Sequence, residues 1–214
     1  MNTRSAALAA LAAAAFSLVS AVPALGDEAK REPKAVSKSG IPYLPDDRAA
    51  PPELVNAIRA RRGGKLLNLD RMLLHSPNFA KGWNEMFAAI RNQLSLKGNL
   101  RELAIMTIAV LNKADYEWVQ HEKEFLSAGG TREQLGALKD PKAAEKNAKL
   151  FSEAERATLA LTREMTRDIV VSGATIKRIR GSLSDQEVVE LIGTISGYNM
   201  VSRFLIATGI DLEQ

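Results

Sequence analysis

Apolar residues recur at helical intervals through most of this chain from residue 53 onward. In the segment that follows Ser76 and Pro77 they are spaced three and four apart, which places them on one face of a helix. Ser76 and Pro77 are themselves residue types that are typical of a helix start. The apolar face consists of Phe79, Trp83, Met86, Phe87 and Ile90. We therefore predict an amphipathic helix that begins near Pro77.

The segment 99–113 (NLRELAIMTIAVLNK) differs from its neighbours because it is almost entirely apolar after Glu102. A helix that is apolar on all sides is buried inside a protein, so this segment is predicted to be the most buried helix. A short break separates it from a second helix, which Gly129 and Gly130 are expected to end. The shortness of the break favours antiparallel packing of the two helices.

Three capping boxes mark further helix starts. In this motif the side chain of a Ser or Thr and that of a Glu or Gln three residues later bond reciprocally to backbone N–H groups. The helix opened by Ser152 is predicted to continue to about Val170, and the only strand-like alternation, in residues 168–171, reads equally well as a helix end. The predicted fold class is all-α. The boxes are Thr131 with Gln134, Ser152 with Glu155, and Ser184 with Glu187.

Gly193 and Gly197 lie four residues apart inside the last predicted helix. A glycine inside a helix costs about 1 kcal/mol relative to alanine. The close approach of another helix at both positions would explain the pair, and we adopt this interpretation. The alternative is that these are positions where the chain merely tolerates glycine.

Residues 1–26 have the layout of a secretory signal peptide, with Arg4 before an alanine-rich apolar run and small residues before Asp27. The alternative is an uncleaved anchor, because the run approaches the roughly 20 residues that span a bilayer. We expect cleavage, a periplasmic or secreted protein and no stable membrane insertion. Residues 27–52 contain five of the eight prolines and read as a Pro-rich N-terminal arm before a helical domain at 53–214.

The composition excludes several function classes. Removal of residues 1–26 deletes one basic residue and no acidic one, so the mature chain has a net charge of 28 − 25 = +3. A nucleic-acid role would require a clustered basic face, and the nearest candidate, residues 58–64 (IRARRGG), is short. There is no cysteine, which excludes a cysteine nucleophile, a thiol peroxidase and a cysteine-based metal site.

The candidate chemistry centres on His121, which follows Glu117 by four residues on a predicted helix. This spacing places both side chains on one side of the helix. A carboxylate there can fix the imidazole tautomer and leave the other nitrogen free for proton transfer. The alternative is an ordinary charged helix surface. Glu102 can approach His121 if the two helices are antiparallel, or it is a first-turn glutamate favoured by the helix dipole.

Residues 101–135 (RELAIMTIAVLNKADYEWVQHEKEFLSAGGTREQL) resemble the core of the carboxymuconolactone decarboxylase and alkylhydroperoxidase D superfamily. The alkylhydroperoxidase branch has a glutamate, then a C-x-x-C pair, then a histidine. Glu102 and His121 match the glutamate and the histidine, whereas Ala114 and Glu117 stand at the cysteine positions. The resemblance extends over most of residues 41–214 and implies the helical bundle of that superfamily in a cysteine-less member.

Without sulfur, the disulfide cycle of the thiol branch is not possible. The resemblance then implies the acid–base chemistry of the decarboxylase branch, with His121 as general acid/base, Glu117 orienting it and Glu102 completing a relay. The expected activity is lyase-like, without a cofactor, on a small anionic carbonyl or lactone compound. Arg101 or Arg203 is a candidate for holding the anion. Candidate substrate-binding residues, which could equally be core residues, are His75, Trp83, Tyr116 and Trp118.

Two other functions stay open at the level of sequence. Glu102, Glu117 and His121 supply enough ligands for a weak Zn²⁺ or Mn²⁺ site, and the chain could also be a non-catalytic oligomeric or binding protein that retains only the fold. The expected export argues against the decarboxylation after which the family is named, because that reaction is normally cytoplasmic. The resemblance implies a homo-oligomer, a trimer or a hexamer.

Overall fold

The computed structural model describes residues 36–213, and within this range the chain forms ten α-helices and no β-strand. The prediction of an all-α fold is confirmed. The helices are α1 (Pro52–Arg61), α2 (Asn68–Leu73), α3 (Pro77–Asn92), α4 (Gly98–Asn112), α5 (Asp115–Ser127), α6 (Arg132–Ala137), α7 (Pro141–Ala144), α8 (Glu153–Arg163), α9 (Gly173–Arg180) and α10 (Asp185–Thr208).

The three predicted capping boxes all form. The side chains of Thr131, Ser152 and Ser184 each accept a hydrogen bond from the backbone N–H three residues later and open α6, α8 and α10. Ser76 occupies the N-cap position of α3, but its side chain makes no capping hydrogen bond. That helix begins with Pro77, whose fixed φ suits a first turn.

Helix α4 is the centre of the structure because it is buried on opposite sides. Ile105 and Ile108 pack into the main core, which α4 shares with residues of α1, α2, α3 and α10. Leu103 and Met106 pack into a second cluster that includes Phe125 of α5. Each fully buried side chain of this kind contributes about 1.5–3 kcal/mol. The apolar sequence of this helix thus reflects two cores on its two sides.

The chain reverses tightly between α4 and α5. Lys113 adopts a left-handed backbone conformation with φ of 57°, and the N–H of Ala114 donates to the carbonyl of Ala109 at 2.8 Å. The two helices therefore pack antiparallel, as the short break predicted. This reversal brings Glu102, in the first turns of α4, beside His121 of α5.

Helix α8 ends at Arg163, earlier than predicted. A π-helical turn follows at Glu164–Asp168, and Ile169 then adopts φ of 64°. Within the turn, Thr166 Oγ1 accepts a hydrogen bond from Asn199 Nδ2 of α10 at 3.0 Å. The helix predicted to continue to about Val170 therefore runs on as this π-helical turn as far as Asp168, and residues 168–171 form a helix end.

The two glycines of α10 have different environments. A Cβ atom at Gly197 would lie 3.2 Å from Ile90 Cδ1 of α3, which is tighter than ordinary contact, whereas one at Gly193 would meet nothing within 4 Å. Close helix packing therefore explains Gly197 and does not explain Gly193.

The described part of the Pro-rich arm, residues 36–51, lies against α2 and the end of α10. The N–H of Lys38 donates to the carbonyl of Gly209 at 3.0 Å, and Arg71 Nη1 donates to the carbonyl of Leu44 at 3.0 Å. The predicted signal peptide lies outside the described residues. Among residues 36–213, no helix combines the length and hydropathy required to cross a bilayer.

Candidate active site

A pocket of about 460 Å³, partly open to solvent, lies among α1, α2, α3, α5 and α10. Its apolar wall consists of Leu67, Leu69, Trp83, Phe87, Val201 and Leu205. Its polar groups are Arg61, Arg62, Arg91, Tyr116, Glu117, Gln120, His121 and Tyr198. An apolar cleft with a few convergent polar groups is the usual form of a small-molecule site.

The imidazole of His121 is held by Glu102. The distance between His121 Nδ1 and Glu102 Oε2 is 2.8 Å, and Glu102 is only 1% exposed. Arg101 Nε donates to the other carboxylate oxygen at 3.1 Å, and Arg91 Nη1 is 3.9 Å from it. Burial alone would raise the pKa of Glu102, but the bond to His121 and the two guanidinium charges lower it. Glu102 is therefore an ionised carboxylate at neutral pH.

His121 is a neutral imidazole with a defined tautomer. Burial lowers its pKa, and the bond to Glu102 opposes that shift only in part. Nδ1 of the neutral ring donates its proton to Glu102, which leaves Nε2 unprotonated. Arg91 Nη1 lies 3.3 Å from Nδ1. Because Nδ1 already carries a proton, we treat Arg91 as a neighbouring positive charge that also lowers the pKa of His121.

Glu117 does not hold His121, which corrects the role expected from its position four residues earlier. The carboxylate that reaches the ring comes instead from the adjacent helix. Glu117 is 2% exposed, and neither of its carboxyl oxygens has a hydrogen-bond partner among residues 36–213. Burial raises its pKa well above the ordinary value. Glu117 is therefore a protonated carboxylic acid that lines the pocket.

Tyr198 and Arg91 complete the surroundings of the imidazole. The ring of Tyr198 meets that of His121 edge to face, with centroids 5.2 Å apart, and burial raises its pKa to about 12. Arg91 Nη2 donates to Glu124 at 3.1 Å, so the guanidinium group of Arg91 forms an ion pair with that carboxylate. Both residues were missed in the sequence, where nothing in their local patterns distinguishes them from other helix residues.

A second polar group, also missed, consists of Arg61 and Arg62 around Asp70. Asp70 is 1% exposed and accepts from Arg62 Nη2 at 3.2 Å and from the N–H of Leu67 at 3.0 Å. Arg61 Nη2 lies 3.8 Å from Asp70, and Arg61 Nε donates to Asn84 at 2.6 Å. Burial and the charge of Arg62 lower the pKa of Arg61 to about 10, which leaves it charged at pH 7. The basic run at residues 58–64 was the available signal.

The predicted substrate-binding residues divide between the pocket and other places. Trp83 and Tyr116 line the pocket, but His75 and Trp118 do not. His75 Nε2 is 2.6 Å from the carbonyl of Pro42 in the arm. Trp118 packs against the second core cluster and lies under the ammonium of Lys139, 3.7 Å from the ring centroid.

The arginines suggested for an anion are also engaged elsewhere. Arg101 bonds to Glu102 and to the carbonyl of Arg91. Arg203 donates to the carbonyl and the side chain of Asn199, both at 3.1 Å. Neither arginine lines the pocket.

Residues 77–164 match the model of the carboxymuconolactone decarboxylase family. The match covers less than half of the chain, so it shows that this segment resembles the family, and the chain has no cysteine. The matched segment contains Glu102, Glu117 and His121 but none of α1, α2 or α10, so it is narrower than the resemblance over residues 41–214 suggested. A search of curated proteins finds no match for the chain.

Solved structures share the fold of this chain. A peroxidase-related protein from Silicibacter sp. TM1040 superposes with a TM-score of 0.65 at 17% identity, over 86% of this chain and 95% of its own. The debrominase Bmp8 superposes with a TM-score of 0.67 at 17% identity, over 79% of this chain and 90% of its own. An AhpD-core protein from Ralstonia eutropha JMP134 superposes with a TM-score of 0.66 at 15% identity, over 80% of this chain and 90% of its own. At such identities the likeness establishes the fold alone.

The two positions of this chain that correspond to the C-x-x-C pair differ from it in different ways. Ala114 is buried in the reversal between α4 and α5, while Glu117 places an uncharged acid in the pocket. Among residues 36–213, no three His, Cys, Asp or Glu side chains are grouped so as to hold a metal ion. Both carboxylate oxygens of Glu102 are already engaged, one with His121 and the other with Arg101.

Proposed function

We propose that this protein is an exported enzyme of the carboxymuconolactone decarboxylase family that transfers protons to and from carbon in a small anionic carbonyl or lactone compound. The observation that carries the proposal is that the imidazole of His121 and the carboxyl group of Glu117 line one pocket. Burial raises the pKa of Glu117 and lowers that of His121. Pairs of titratable groups tuned in this way are typical of acid–base catalysis near neutral pH.

His121 is the base in this proposal. Its Nδ1–H is committed to Glu102 at 2.8 Å, so Nε2 is free to accept a proton from a carbon next to a carbonyl group. As the imidazolium forms, the ionised Glu102 stabilises it. Glu102 therefore both orients the base and balances its charge.

Glu117 is the acid. It donates its proton to the enolate carbon, becomes a carboxylate, and regains a proton from solvent. Where the enolate forms by loss of CO₂, the bond to the leaving carboxyl group breaks, its electron pair stays on the substrate, and the donation by Glu117 completes the reaction. Where it forms by loss of a C–H proton to His121, the imidazolium releases that proton to solvent after Glu117 has protonated the carbon, and the net result is an isomerisation.

The fold relatives support a small ligand. The debrominase Bmp8 has also been solved, as a cysteine-to-alanine variant, in complex with 2,3,4-tribromopyrrole, with a TM-score of 0.66 at 16% identity. For this chain, we propose a ligand of comparable size but different chemistry, because the chain has no cysteine.

The test is hydrogen exchange at carbon. The purified protein is incubated in D₂O with a panel of small keto acids and lactones, while NMR follows deuterium incorporation and a coupled assay follows CO₂. We expect turnover that falls by about 100-fold or more in His121→Gln and in Glu117→Gln, the usual scale of one general acid or base. Glu133→Gln, at an exposed glutamate on α6, should retain full activity.

Two results would overturn this proposal. One is exchange or decarboxylation that survives both substitutions. The other is the absence of turnover for every compound, including those that bind, which would favour the alternative of a binding protein that has kept the fold without the chemistry.

Export and self-association are further parts of the proposal. Export rests on the signal-like sequence of residues 1–26 and is checked by the N-terminal sequence of the mature protein. Assembly into a trimer or hexamer is supported by large apolar side chains exposed on α3, Phe79 at 45% and Met86 at 39%. Light scattering of the purified protein measures the number of subunits, and a monomer would contradict assembly.

A further inference from the structure

We infer that Arg61, with Arg62 beside it, forms a carboxylate-binding subsite in the pocket, and that the ligand is a small monocarboxylate with an apolar body. The inference deepens the proposed function by naming the group that recognises the substrate, and it rests on that function only in taking this pocket as the site. Both arginines lie before residues 77–164, the segment that matches the family. The subsite is therefore built from a flanking helix.

The charges around Asp70 do not balance. Asp70 is the buried carboxylate that faces both arginines, with Arg62 Nη2 at 3.2 Å and Arg61 Nη2 at 3.8 Å. Asp70 also accepts from the N–H of Leu67, which fixes its orientation. One carboxylate thus faces two guanidinium groups, and Arg62 is the one that it binds closely. Asp70 acts as a positioning residue for Arg62 and leaves the charge of Arg61 incompletely compensated.

The other acidic groups near the pocket do not supply the missing charge. Glu213 accepts hydrogen bonds from Tyr116 and Gln120, both at 2.6 Å, and from the N–H of Asn68 at 2.8 Å. Glu124 is paired with Arg91 at 3.1 Å, and Glu102 is bonded to His121 and Arg101. Glu117 carries a proton because burial raises its pKa, so it neither neutralises Arg61 nor repels an incoming anion.

Arg61 also has an unused hydrogen-bond donor. Its Nε is held by Asn84 at 2.6 Å, and its side chain is 12% exposed. Nη2 is buried and has no hydrogen-bond acceptor among residues 36–213. Buried donors are normally paired, and the planar guanidinium group matches a carboxylate, which accepts through two oxygens. A bound carboxylate would satisfy this donor and balance the charge together.

The rest of the pocket determines the body of the ligand. Trp83 and Phe87, with ring centroids 4.8 Å apart, provide an apolar wall. The proton-transfer groups Glu117 and His121 line the same cavity. A ligand anchored by its carboxylate at Arg61 therefore packs an apolar body against the aromatic wall within the cavity that contains both groups. The pocket of about 460 Å³ includes open solvent, so only a small molecule fits within it.

The test is calorimetric titration of the full chain with benzoate and with its uncharged isostere benzamide. We expect benzoate to bind about tenfold more tightly or better, the scale of one charge-assisted hydrogen bond. Arg61→Gln should remove this preference by weakening benzoate without changing benzamide, and Arg61→Lys should retain part of it. Arg132→Gln, at an arginine that is 80% exposed on α6, should behave as the wild type.

The inference is overturned if wild-type protein binds benzoate no better than benzamide or binds neither compound. It is also overturned if folded Arg61→Gln retains the preference. Because the comparison of the two ligands uses wild-type protein, poor folding of a variant does not protect the inference. Benzoate binding that persists in His121→Gln, without turnover of any substrate by the wild type, would retain the subsite and reject the proposed enzyme. Turnover of a substrate, without a preference for benzoate that depends on Arg61, would retain the proposed enzyme and reject the subsite.

Discussion

Replacement of Glu117 by Gln should make the protein relatively more stable as the pH rises. Glu117 is 2% exposed and unpaired among the described residues, and burial raises its pKa. In the unfolded chain it titrates near pH 4.3. Above that pH the unfolded state has lost the proton that the folded state keeps. Wild-type stability from this group is therefore fully present below the unfolded pKa and is lost as the pH rises towards the folded pKa.

The magnitude of this effect follows from proton linkage. With one proton of difference between the two states, the free energy of unfolding falls by about 1.4 kcal/mol for each pH unit. Glutamine has a similar shape and no charge to lose. The free energy of unfolding of Glu117→Gln minus that of the wild type should therefore increase by about 2.7 kcal/mol between pH 5 and pH 7. The constant cost of a buried amide without a partner shifts the whole curve and does not change its slope.

The assay is urea unfolding followed by tryptophan fluorescence at a series of pH values. Glu133→Gln, at an exposed position on α6, is the matched control and should run parallel to the wild type. If the curves of Glu117→Gln and the wild type are parallel over this range, Glu117 is ionised in the folded protein and the reasoning is refuted. The variant should also lose proton-transfer activity while its stability relative to the wild type rises from pH 5 to pH 7, because the acid is retained for function rather than for folding.

Three further predictions concern the same protein. Glu102→Gln should lower the free energy of unfolding by about 2 kcal/mol at pH 7, since it leaves partly solvated Arg91 and Arg101 without their carboxylate. Because the pKa of Glu102 is lowered in the folded protein, this loss of stability should shrink as the pH falls below about 4. A loss that is independent of pH in urea titrations would contradict the prediction. His121→Gln should remove the loss of stability that the wild type develops below about pH 6.5, since the pKa of His121 is lowered in the folded protein. If the stability of the variant falls below pH 6.5 as steeply as that of the wild type, this prediction is contradicted. Gly193→Ala should raise Tm because it increases the free energy of unfolding by about 1 kcal/mol. Gly197→Ala should increase it less, because the new Cβ atom would lie 3.2 Å from Ile90 Cδ1. Equal increases in Tm for the two variants would refute the packing role of Gly197.

The helices could be predicted because their signals are local. The capping boxes at Thr131, Ser152 and Ser184 involve residues three apart, and all three form. The apolar pattern of residues 99–113 predicted burial, and the short break after it predicted antiparallel helices, which left the approach of Glu102 to His121 as one of two open alternatives. The end of α8 could not be predicted, because the π-helical turn is tied to α10 through Thr166 and Asn199.

The pocket was less predictable because its parts come from distant elements. Spacing placed Glu117 beside His121, but spacing does not show that Glu102 would occupy the imidazole nitrogen and leave Glu117 buried and protonated. Arg61 and Tyr198 reach the cavity only through the packing of α1 and α10 around it. Trp118 has the residue type of a pocket aromatic but lies on the side of α5 that faces the second core cluster.

The central claim is that His121 and Glu117 are both uncharged in one pocket at neutral pH, and NMR of the two side chains tests it most directly. Carboxyl carbons are labelled in glutamate and ring nitrogens in histidine, and Glu117→Gln and His121→Gln assign the signals. We expect a Glu117 carboxyl group that stays protonated from pH 5 to pH 7 and a His121 ring with its proton on Nδ1. A Glu117 signal that titrates like an ordinary carboxylate, or a His121 ring that is doubly protonated at pH 7, would contradict it.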